Sequence, residues 1–534
     1  IHFSQTLHIH LRENKKIINT QKNFSSAAHR CMANKVFCPK LLKNLGFHVR
    51  RLNSAPSPLS AVPPLNFTGD FNAVPNLVEP APQINTTLHH HHDHHNTNNI
   101  INFDDVKELF YGVPTTKLIR SSMTLQMAAI DPMVDLGMWI MNSKLMEMPV
   151  FREVMLGFVK TTFYEHFCAG KDLTEVRRTV TNLSDSGLKA MLDYGVEHAT
   201  DNESCEQSTA AFIQTIESTK SLPESSASFV VAKITAICTP RLLKRMSDLL
   251  RWEQKDPSFN LPWKQESLPL FAESSPVYHT SSKPEPLTIE EERDLQLAHE
   301  RLRKICEKCL EHEVPLLIDA EDTTIQPAID YFAYSAAIKY HKDDQPLIFG
   351  TIQAYLKDAK ERMVIAKKAA EKMGVPMGFK LVRGAYMCSE KELASTLGFK
   401  SPIHDSIEQT HACFNSCAEF MIEEIANGSG AVVLATHNIE SGKLAATKAI
   451  DLGIKNERQN LQFAQLYGMA DGLSFGLRNA GFQVSKYLPF GPVEQIMHYL
   501  MRRAEENRGM LSTSAFDRQL MRKELSRRLE VATS

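Results

Sequence analysis

Cysteine is scarce in this sequence, with ten residues in 534, which is too few for a disulfide-stabilised scaffold. Cys306 and Cys309 form a CxxC motif, but the surrounding "ERLRKICEKCLEHEV" has the apolar spacing of a helix. No second CxxC follows to complete a zinc site, and Cys413 and Cys417 stand equally alone. We therefore predict free thiols, no metal centre and a reducing compartment.

Long apolar runs and an excess of charge of either sign are also missing. The formal net charge is −2, which gives no argument for a nucleic-acid partner. The most apolar stretch, "MAAIDPMVDLGMWIMNSKLM" from Met127, is interrupted by Asp131, Asp135 and Lys144. A spanning helix needs about 20 largely apolar residues, so we predict that any membrane contact is peripheral.

Acidic residues are nearly absent from the first 69 residues, where Glu13 stands against ten lysines and arginines. A basic, serine-containing and acid-poor segment is typical of a mitochondrial transit peptide. Met32 opens "MANKVFCPKLLKNLGFHVRRLNS", which is itself basic and amphipathic. We therefore expect a mitochondrial targeting segment within residues 1–60. We expect the protein itself to start at Met32, with the preceding 31 residues as an upstream artefact. The alternative is a disordered basic arm that binds an acidic partner.

Residues 61–103 are rich in proline, asparagine and histidine and contain "LHHHHDHHNTNN". A polyhistidine tract can bind metal ions, but inside a low-complexity segment a solvated repeat is the simpler interpretation. We predict a disordered linker.

Residues 104–186 have apolar residues at helical spacing, whereas short β-branched runs alternate with amphipathic helical segments over residues 187–510. The predicted strands are "KAMLDYGVE", "FVVAKITA", "VPLLIDAE", "PLIFGTIQAY", "GFKLVRGAY", "AVVLATHN", "LQFAQLYG" and "FQVSKYLPF". Eight alternating β and α units predict an α/β protein with a (β/α)8 barrel. A proline- and serine-rich insertion at about 254–290 follows the second strand, and residues 511–534 read as a C-terminal helix.

Polar side chains recur at the carboxyl end of the predicted strands, where the active site of a (β/α)8 barrel lies. They are Lys233, Asp319, Glu321, Gln353, Lys380, Arg383, Tyr386, Thr436, His437, Asn438, Gln465 and Tyr487. Any one of them is equally compatible with an ordinary residue at the barrel rim. Their joint placement favours a common site.

The segment "YLPFGPVEQIMHYLMRRAEEN", residues 487–507, predicts a helix directly after the last strand. Tyr499, Arg502, Arg503 and Glu506 stand at i, i+3, i+4 and i+7 and therefore form one polar stripe. Alone, this stripe is compatible with a solvated face that holds an Arg502–Glu506 pair. Above the mouth of a barrel, the two guanidinium groups would instead meet a carboxylate, whose geometry they match.

The motifs "LLIDAE", "KLVRGAY", "ATHN", "YLPFGP" and above all "YLMRRAEEN" together resemble those of proline dehydrogenase, a family of mitochondrial flavoenzymes. The resemblance covers residues 104–530, and the combined set is specific although each motif alone is weak. It implies a distorted (β/α)8 barrel with FAD at the carboxyl ends of the strands and the last barrel helix above the mouth.

The resemblance also implies roles for the substrate site. Arg502 and Arg503 should hold the carboxylate of L-proline with help from Lys233, and Asp319 should orient these cationic groups. The residues that should wall the pyrrolidine ring are Tyr386, Tyr487, Tyr499 and Leu466.

For the cofactor, the resemblance places Lys380 near the N5 atom of the flavin. The other positions that match FAD-lining residues are Gln353, Gly384, Ala385, Tyr386, Thr436, His437, Asn438, Gln465, Arg503 and Glu506.

The implied reaction transfers a hydride from the ring carbon beside nitrogen to the flavin and yields 1-pyrroline-5-carboxylate. Ubiquinone is the implied electron acceptor, and the implied location is the matrix side of the mitochondrial inner membrane, in peripheral contact. The nearest alternative is a hydroxyproline dehydrogenase of the same fold, in which a smaller residue typically replaces Tyr487. A flavin-binding scaffold without catalysis is a remote alternative.

The basic segment generates the first prediction. Fused to a reporter, residues 32–60 should direct it to mitochondria, because a basic amphipathic helix is what import receptors recognise in such segments. Fluorescence microscopy against a mitochondrial marker measures this. A reporter that stays in the cytosol would argue against both the start at Met32 and the compartment.

Overall fold

The computed structural model describes residues 100–533 apart from 197–198, 455–459 and 510. The predicted targeting segment and all but the last residues of the predicted linker therefore lie outside the described residues. The described part of the chain holds the helices, the barrel and the C-terminal helix discussed below.

Eight parallel strands form a closed barrel in which each strand pairs with its neighbours in sequence and the last pairs with the first. They are β1 (Lys189–Tyr194), β2 (Ala227–Ala232), β3 (Leu316–Ile318), β4 (Ile348–Gln353), β5 (Gly378–Val382), β6 (Ala431–Ala435), β7 (Leu461–Leu466) and β8 (Val484–Phe490). The predicted (β/α)8 barrel is thus confirmed. Two features make it irregular: β3 has only 3 residues, and the β1–β2 register shifts between Ala190 and Met191.

Helices surround the barrel and precede it. Those before β1 are α1 (Val106–Leu109), α2 (Thr115–Ala128), α3 (Asp131–Met141), α4 (Pro149–Val159), α5 (Glu165–Phe167) and α6 (Leu173–Asp185). Those that follow strands are α7 (Asn202–Ser218), α8 (Pro240–Lys255), α9 (Ile289–Glu311), α10 (Gln326–Lys339), α11 (Ala359–Lys372), α12 (Met387–Thr396), α13 (Ile407–Ala426), α14 (Ile439–Asp451), α15 (Asp471–Asn479) and α16 (Val493–Gly509). The chain ends in α17 (Leu511–Thr533). A pair of two-residue antiparallel strands, His341–Lys342 and Gln345–Pro346, precedes β4.

The strands read as continuous apolar runs because both of their faces are buried. One face fills the barrel interior, where Met191, Phe229, Leu317, Phe349 and Val433 form a separate cluster. The rings of Phe229 and Phe349 meet edge to face at 4.8 Å between centroids. The alternate side chains point outward and pack beneath the helices.

The stretch between α8 and α9, residues 256–288, contains no described helix or strand, and it corresponds to the predicted insertion. It is nevertheless tied to the barrel. The Gln265 amide donates to the Tyr331 hydroxyl at 2.9 Å, and the Ser275 hydroxyl donates to Asp358 at 2.6 Å. His279 bonds to the hydroxyl of Thr323, at 2.9 Å. The insertion therefore reaches the loop that follows β3.

The final helices cover one end of the barrel and hold the N-terminal helices. Helix α16 packs against α2, α3 and the π-turn Lys160–Tyr164. The buried Tyr164 hydroxyl donates to the Gly491 carbonyl at 2.7 Å, just before α16 begins. This contact fixes the direction in which α16 leaves β8. None of the described helices combines the length and apolar character needed to cross a bilayer.

Candidate active site

The carboxyl ends of the strands gather the polar side chains that the sequence placed there. Lys233 directly follows β2, Asp319 directly follows β3, and Lys380 and Tyr487 lie within β5 and β8. All eight strands are parallel, so these ends open into one space, called the mouth below.

A buried network of charges centres on Asp319. The Tyr487 hydroxyl donates to one of its carboxylate oxygens at 2.7 Å, Lys380 pairs with the other oxygen, and Lys233 Nζ lies 3.7 Å away. Lys233 also donates to Asp193 at 2.9 Å and to the Tyr487 oxygen at 3.3 Å. Two carboxylates and two ammonium groups thus compensate one another around one phenol. Uncompensated, each buried charge would cost several kcal/mol.

The network sets the protonation states of its members. Burial tends to raise the pKa of Asp319, but Lys380 and Lys233 outweigh it and hold that pKa below its usual value. Burial and the nearby Asp193 and Asp319 raise the pKa of Tyr487 far above its usual value. Tyr487 therefore stays protonated and donates, while Asp319 stays ionised and accepts.

Asp193 was not among the residues predicted from the sequence. It is 2% exposed and lies next to the last residue of β1. A signal was present, because an acidic residue within the largely buried run "AMLDY" is costly unless it has a cationic partner. That partner is Lys233, the fifth residue of "FVVAKITA".

Helix α16 carries the second group of predicted residues. Tyr499 is 8% and Arg503 6% exposed, and the Arg503 guanidinium lies 4.7 Å from the Tyr499 ring centroid, stacked as a cation on an aromatic face. Arg502 is half-buried on the same helix. The Glu506 side chain lies outside the described residues. Burial, Lys486 and Arg503 lower the pKa of His437, which follows β6, so Arg503 lies at the same end of the barrel as the mouth.

Amide and hydroxyl groups line the β4 and β6–β7 side of the mouth. Gln353 donates to the Glu321 carbonyl at 2.8 Å, and Gln465 donates to the Thr436 carbonyl at 3.2 Å. The His437 Nε2 accepts from the Leu466 amide at 3.1 Å. These bonds hold the predicted cofactor-lining side chains in one orientation.

Arg383 holds a positive charge beside the start of α14. It donates to the hydroxyls of Thr436 at 2.6 Å and Ser441 at 2.8 Å, and to His411 at 3.0 Å. Each of these partners among the described residues is formally neutral, so the guanidinium keeps its capacity to bind an anion. Asn438 caps the same helix by accepting from the Ser441 amide at 2.8 Å. A helix N-terminus beside a cation suits phosphate.

The backbone requires glycine at position 384, in addition to the predicted role of Gly384 in the cofactor site. Its φ is +129°, and a Cβ at this position would come within 2.5 Å of the Tyr355 ring. No other residue fits without moving that ring. Ala385 and Tyr386 follow it on the rim, where Gly384 and Ala385 are exposed and Tyr386 is half-buried.

Comparison with known proteins decides the family. Residues 176–516 match the family described as Proline dehydrogenase. Proline dehydrogenase 1, mitochondrial, from Arabidopsis thaliana is 56% identical over 487 residues, which cover 90% of this chain and 97% of that protein. The chain belongs to the proline dehydrogenase family. It is an oxidoreductase enzyme, as the motifs predicted.

More distant relatives show the breadth of this fold. Hydroxyproline dehydrogenase from Rattus norvegicus is 30% identical over 435 residues, or 78% of this chain and 92% of that protein. The crystal structure of proline utilization A (PutA) from Bdellovibrio bacteriovorus superposes with a TM-score of 0.53 at 19% identity, and covers 74% of this chain and 37% of that chain. The second likeness supports the barrel fold alone.

In this member of the family, the predicted substrate residues fall into two layers. Lys233, Asp319 and Tyr487 lie together in the mouth. Leu466 pairs in register with Tyr487 across β7 and β8. Tyr499, Arg502 and Arg503 lie on α16. Lys233 contacts Asp193, Asp319 and Tyr487, so its described bonds orient the network. Its predicted contact with a carboxylate stays a prediction.

The environment of His437 predicts an acid-dependent loss of stability. Burial, with Lys486 and Arg503 nearby, lowers the pKa of His437 to about 3, whereas the unfolded chain takes up this proton near pH 6.5. Acidification from about pH 7.5 to about pH 5 should therefore protonate the unfolded state alone and destabilise the fold. His437→Gln should reduce this loss by about 1–2 kcal/mol.

Thermal unfolding of the holoenzyme at the two pH values measures the effect. The matched control is His341→Gln, since His341 is exposed on the short antiparallel pair. An unchanged pH dependence in the His437 variant would mean that His437 is not held neutral in the fold.

Proposed function

We propose that this protein oxidises L-proline to 1-pyrroline-5-carboxylate with FAD as cofactor and ubiquinone as electron acceptor. The observation that carries the proposal is the buried Asp319–Lys380–Lys233–Tyr487 network beneath the arginines of α16, in a chain closely similar to a protein named proline dehydrogenase. The same relative is named mitochondrial, and the basic segment before residue 70 supports a mitochondrial location. We place the enzyme on the matrix side of the inner membrane.

The arginines of α16 bind the carboxylate of proline in this proposal. Arg502 and Arg503 are adjacent on a helix above the mouth, and planar guanidinium groups form paired hydrogen bonds with a carboxylate. Tyr499 stacks against Arg503 at 4.7 Å and fixes the plane in which that guanidinium presents its donors. The carboxylate end of proline therefore lies toward α16 and the ring toward the strand ends.

Tyr487 positions the ring. Its phenol is held by Asp319 at 2.7 Å and by Lys233 at 3.3 Å, so the aromatic plane cannot turn freely. Leu466 lies beside it in register, and Tyr386 and Tyr499 complete the apolar wall. A rigid wall holds the reacting carbon at a fixed distance from the cofactor.

The residues of the mouth fit FAD. Bound there, FAD would supply the acceptor for a hydride from the ring carbon beside nitrogen. Lys380 supplies a cation that stabilises negative charge on the reduced ring. Gln353, Thr436, His437 and Gln465 would supply hydrogen-bonding groups to the flavin ring, and Arg383 with the N-terminus of α14 would suit the phosphates.

No described side chain is assigned as general base. Asp319 is ionised but already accepts from Lys380 and Tyr487, and Tyr487 keeps its proton because its pKa is raised. Proline therefore binds with its amine deprotonated, and the chain contributes orientation and electrostatics.

Hydroxyproline dehydrogenase is the second candidate function. The fold and the α16 motif are compatible with it, and a protein of that name is 30% identical. Two observations favour proline. The identity to the Arabidopsis proline dehydrogenase is 56%, and residue 487 is a tyrosine, which the proposal places where a hydroxyl on the substrate ring would project.

The arginine pair generates a prediction about affinity. The purified enzyme should be yellow, and proline should bleach it in the absence of oxygen. Arg502→Met and Arg503→Met should each raise KM for proline by about 30-fold or more, since loss of one partner from a desolvated charged pair costs about 2–5 kcal/mol.

Steady-state kinetics with a dye acceptor and the flavin absorbance of each variant measure this. Arg303→Met is the matched control, because Arg303 pairs with Glu300 and Glu307 on the exposed side of α9 and should leave KM unchanged. Near-normal proline affinity in both α16 variants would remove the carboxylate assignment. A colourless protein, or one that proline does not bleach, would remove the function.

Tyr487 generates a prediction about specificity. Tyr487→Ser opens space at the far edge of the ring and supplies a small polar group, but it leaves proline poorly packed. The ratio of kcat/KM for proline to that for 4-hydroxyproline should fall about 10-fold or more, which corresponds to about 1.4 kcal/mol. Most of the fall should come from lost activity on proline.

Tyr487→Phe separates packing from hydrogen bonding. It keeps the ring but removes the donor to Asp319, so it should lower kcat on both substrates and leave their ratio largely unchanged. Both variants are compared at full FAD loading. A ratio unchanged in Tyr487→Ser would show that Tyr487 does not contact the ring.

A further inference from the structure

Helix α3 leaves its apolar side chains in solvent. Among its 11 described residues, "DPMVDLGMWIM", only Val134 is buried. Met133, Leu136 and Trp139 are 43%, 56% and 54% exposed. Asp131 and Asp135 are the two charged residues among those 11, and both are exposed. Apolar side chains left in solvent beside them mark a candidate interaction surface.

The exposed apolar surface continues onto α4 and α2. On α4, Val150, Val154 and Phe158 are 79%, 65% and 48% exposed, and their spacing of four places them along one side of the helix. On α2, Ile119 and Met123 are 45% and 62% exposed. The apolar face is defined here by Ile119, Met123, Met133, Leu136, Trp139, Val150, Val154 and Phe158.

The helices that carry this face are joined to one another. Arg120 of α2 pairs with Glu165, just beyond α4, at 2.6 Å, and α3 packs against α2. Thr161 and Thr162 of the π-turn line a groove of about 340 Å³ together with Ile119 and Met123. The exposed side chains therefore belong to one surface. Contiguous apolar patches of this kind mark interaction sites.

A line of positive charge borders the apolar face. Arg518, Arg522, Lys523 and Arg527 of α17 line an open groove of about 650 Å³ together with Gln126 of α2 and the exposed Glu530 of α17. Gln126 is one helical turn from Met123, and Arg522 donates to it at 2.8 Å. These four side chains of α17 are called the basic stripe.

The four cations of the basic stripe outnumber Glu530, the one acidic residue that lines the same groove, so an excess of positive charge remains. Its helix contains Asp517, which is 2% exposed and turned toward the amides of Asp471 and Gly472. Glu524 is fully buried and binds Arg527 and Arg528. Arg522 and Lys523 are exposed, and they present their charge to solvent.

We propose that the apolar face and the basic stripe together seat this enzyme on an anionic lipid bilayer. Apolar side chains that enter the interface and a cluster of lysine and arginine beside them are the two elements of peripheral membrane binding. The inference rests on the proposed function, because a ubiquinone acceptor is dissolved in the bilayer. Helix α16 packs on α2 and α3. Helices α2 and α3 therefore connect the apolar face to the helix that carries Arg502 and Arg503.

A bilayer explains this surface better than a second copy of the chain does. In a symmetric dimer the same patch meets itself, and the basic stripes of two copies would come together with like charge. Such juxtaposition costs several kcal/mol. An anionic bilayer instead complements the stripe and accepts the apolar side chains.

The test measures flotation of the full-length holoenzyme with lipid vesicles. The vesicles are phosphatidylcholine alone, and phosphatidylcholine with about one fifth phosphatidylglycerol. The wild type should bind the anionic vesicles. Val154→Glu with Phe158→Glu should weaken that binding at least about tenfold, because two charges replace apolar side chains at the interface. Arg522→Glu with Lys523→Glu should weaken binding to anionic vesicles and lose the preference for them.

The matched control is Ile450→Glu with Leu452→Glu, which alters two side chains that are 49% and 40% exposed at the end of α14. It should bind vesicles as the wild type does. All variants should oxidise proline with a water-soluble dye at the wild-type rate, since none of the changed residues lies in the mouth. With a long-chain quinone in the vesicles, only the variants of the face and stripe should slow.

Three outcomes would overturn the inference. They are a wild type that ignores both vesicle types, variants of the face that bind as well as the wild type, and face variants that convert a dimer to a monomer by light scattering without changing vesicle binding. Activity with the soluble dye separates this from the proposed function. Proline oxidation without vesicle binding would contradict the membrane inference alone. Absence of proline oxidation with every acceptor would contradict the proposed function.

Discussion

The buried carboxylate of Asp319 is the interaction on which the site depends. It accepts from the Tyr487 phenol and pairs with Lys380, and it draws Lys233 to 3.7 Å. These partners come from β8, β5 and the end of β2. The network therefore links three strands across the mouth of the closed barrel. Without Asp319, two ammonium groups would share a low-dielectric space with only Asp193 to offset them. Such a site would expel one charge or admit water.

This compensation explains how one small mouth can serve both ends of a zwitterionic substrate. The lysines are occupied by acids, so they hold their positions before substrate arrives and need no rearrangement during reaction. In the proposed function, carboxylate binding falls to the arginines of α16, which belong to a separate layer. The roof is in turn held by the N-terminal helices and by the Tyr164–Gly491 bond. Under that proposal, substrate affinity and cofactor geometry depend on different elements of the fold.

Much of this arrangement was predictable because parallel strands buried on both faces appear in the sequence as continuous apolar runs. All eight apolar runs became strands, and their polar ends met. The run "VPLLIDAE" gave only Leu316–Ile318, because the backbone leaves the sheet where Asp319 turns into the mouth. Asp193 was missed because a single acid inside an apolar run reveals its role only when its lysine partner is adjacent. The bonds of the insertion to Thr323 and Asp358 were beyond prediction, since irregular chain has no periodicity that fixes its neighbours.

The N-terminal helices show what sequence periodicity can and cannot say about burial. The segment from Met127 was read as helical and too polar to span a bilayer, and α3 and α4 are indeed separate helices of 11 residues each. Apolar spacing alone would place such helices in a core. The barrel already has a complete core beneath its own helices. Helix α3 is therefore covered only in part, by α2 and α16, and α4 packs on the turns Lys144–Glu147 and Lys160–Tyr164. Their remaining apolar area carries an unfavourable hydration free energy. A chain keeps such a surface at a cost to its solubility, and a partner that removes it from water recovers that free energy as binding.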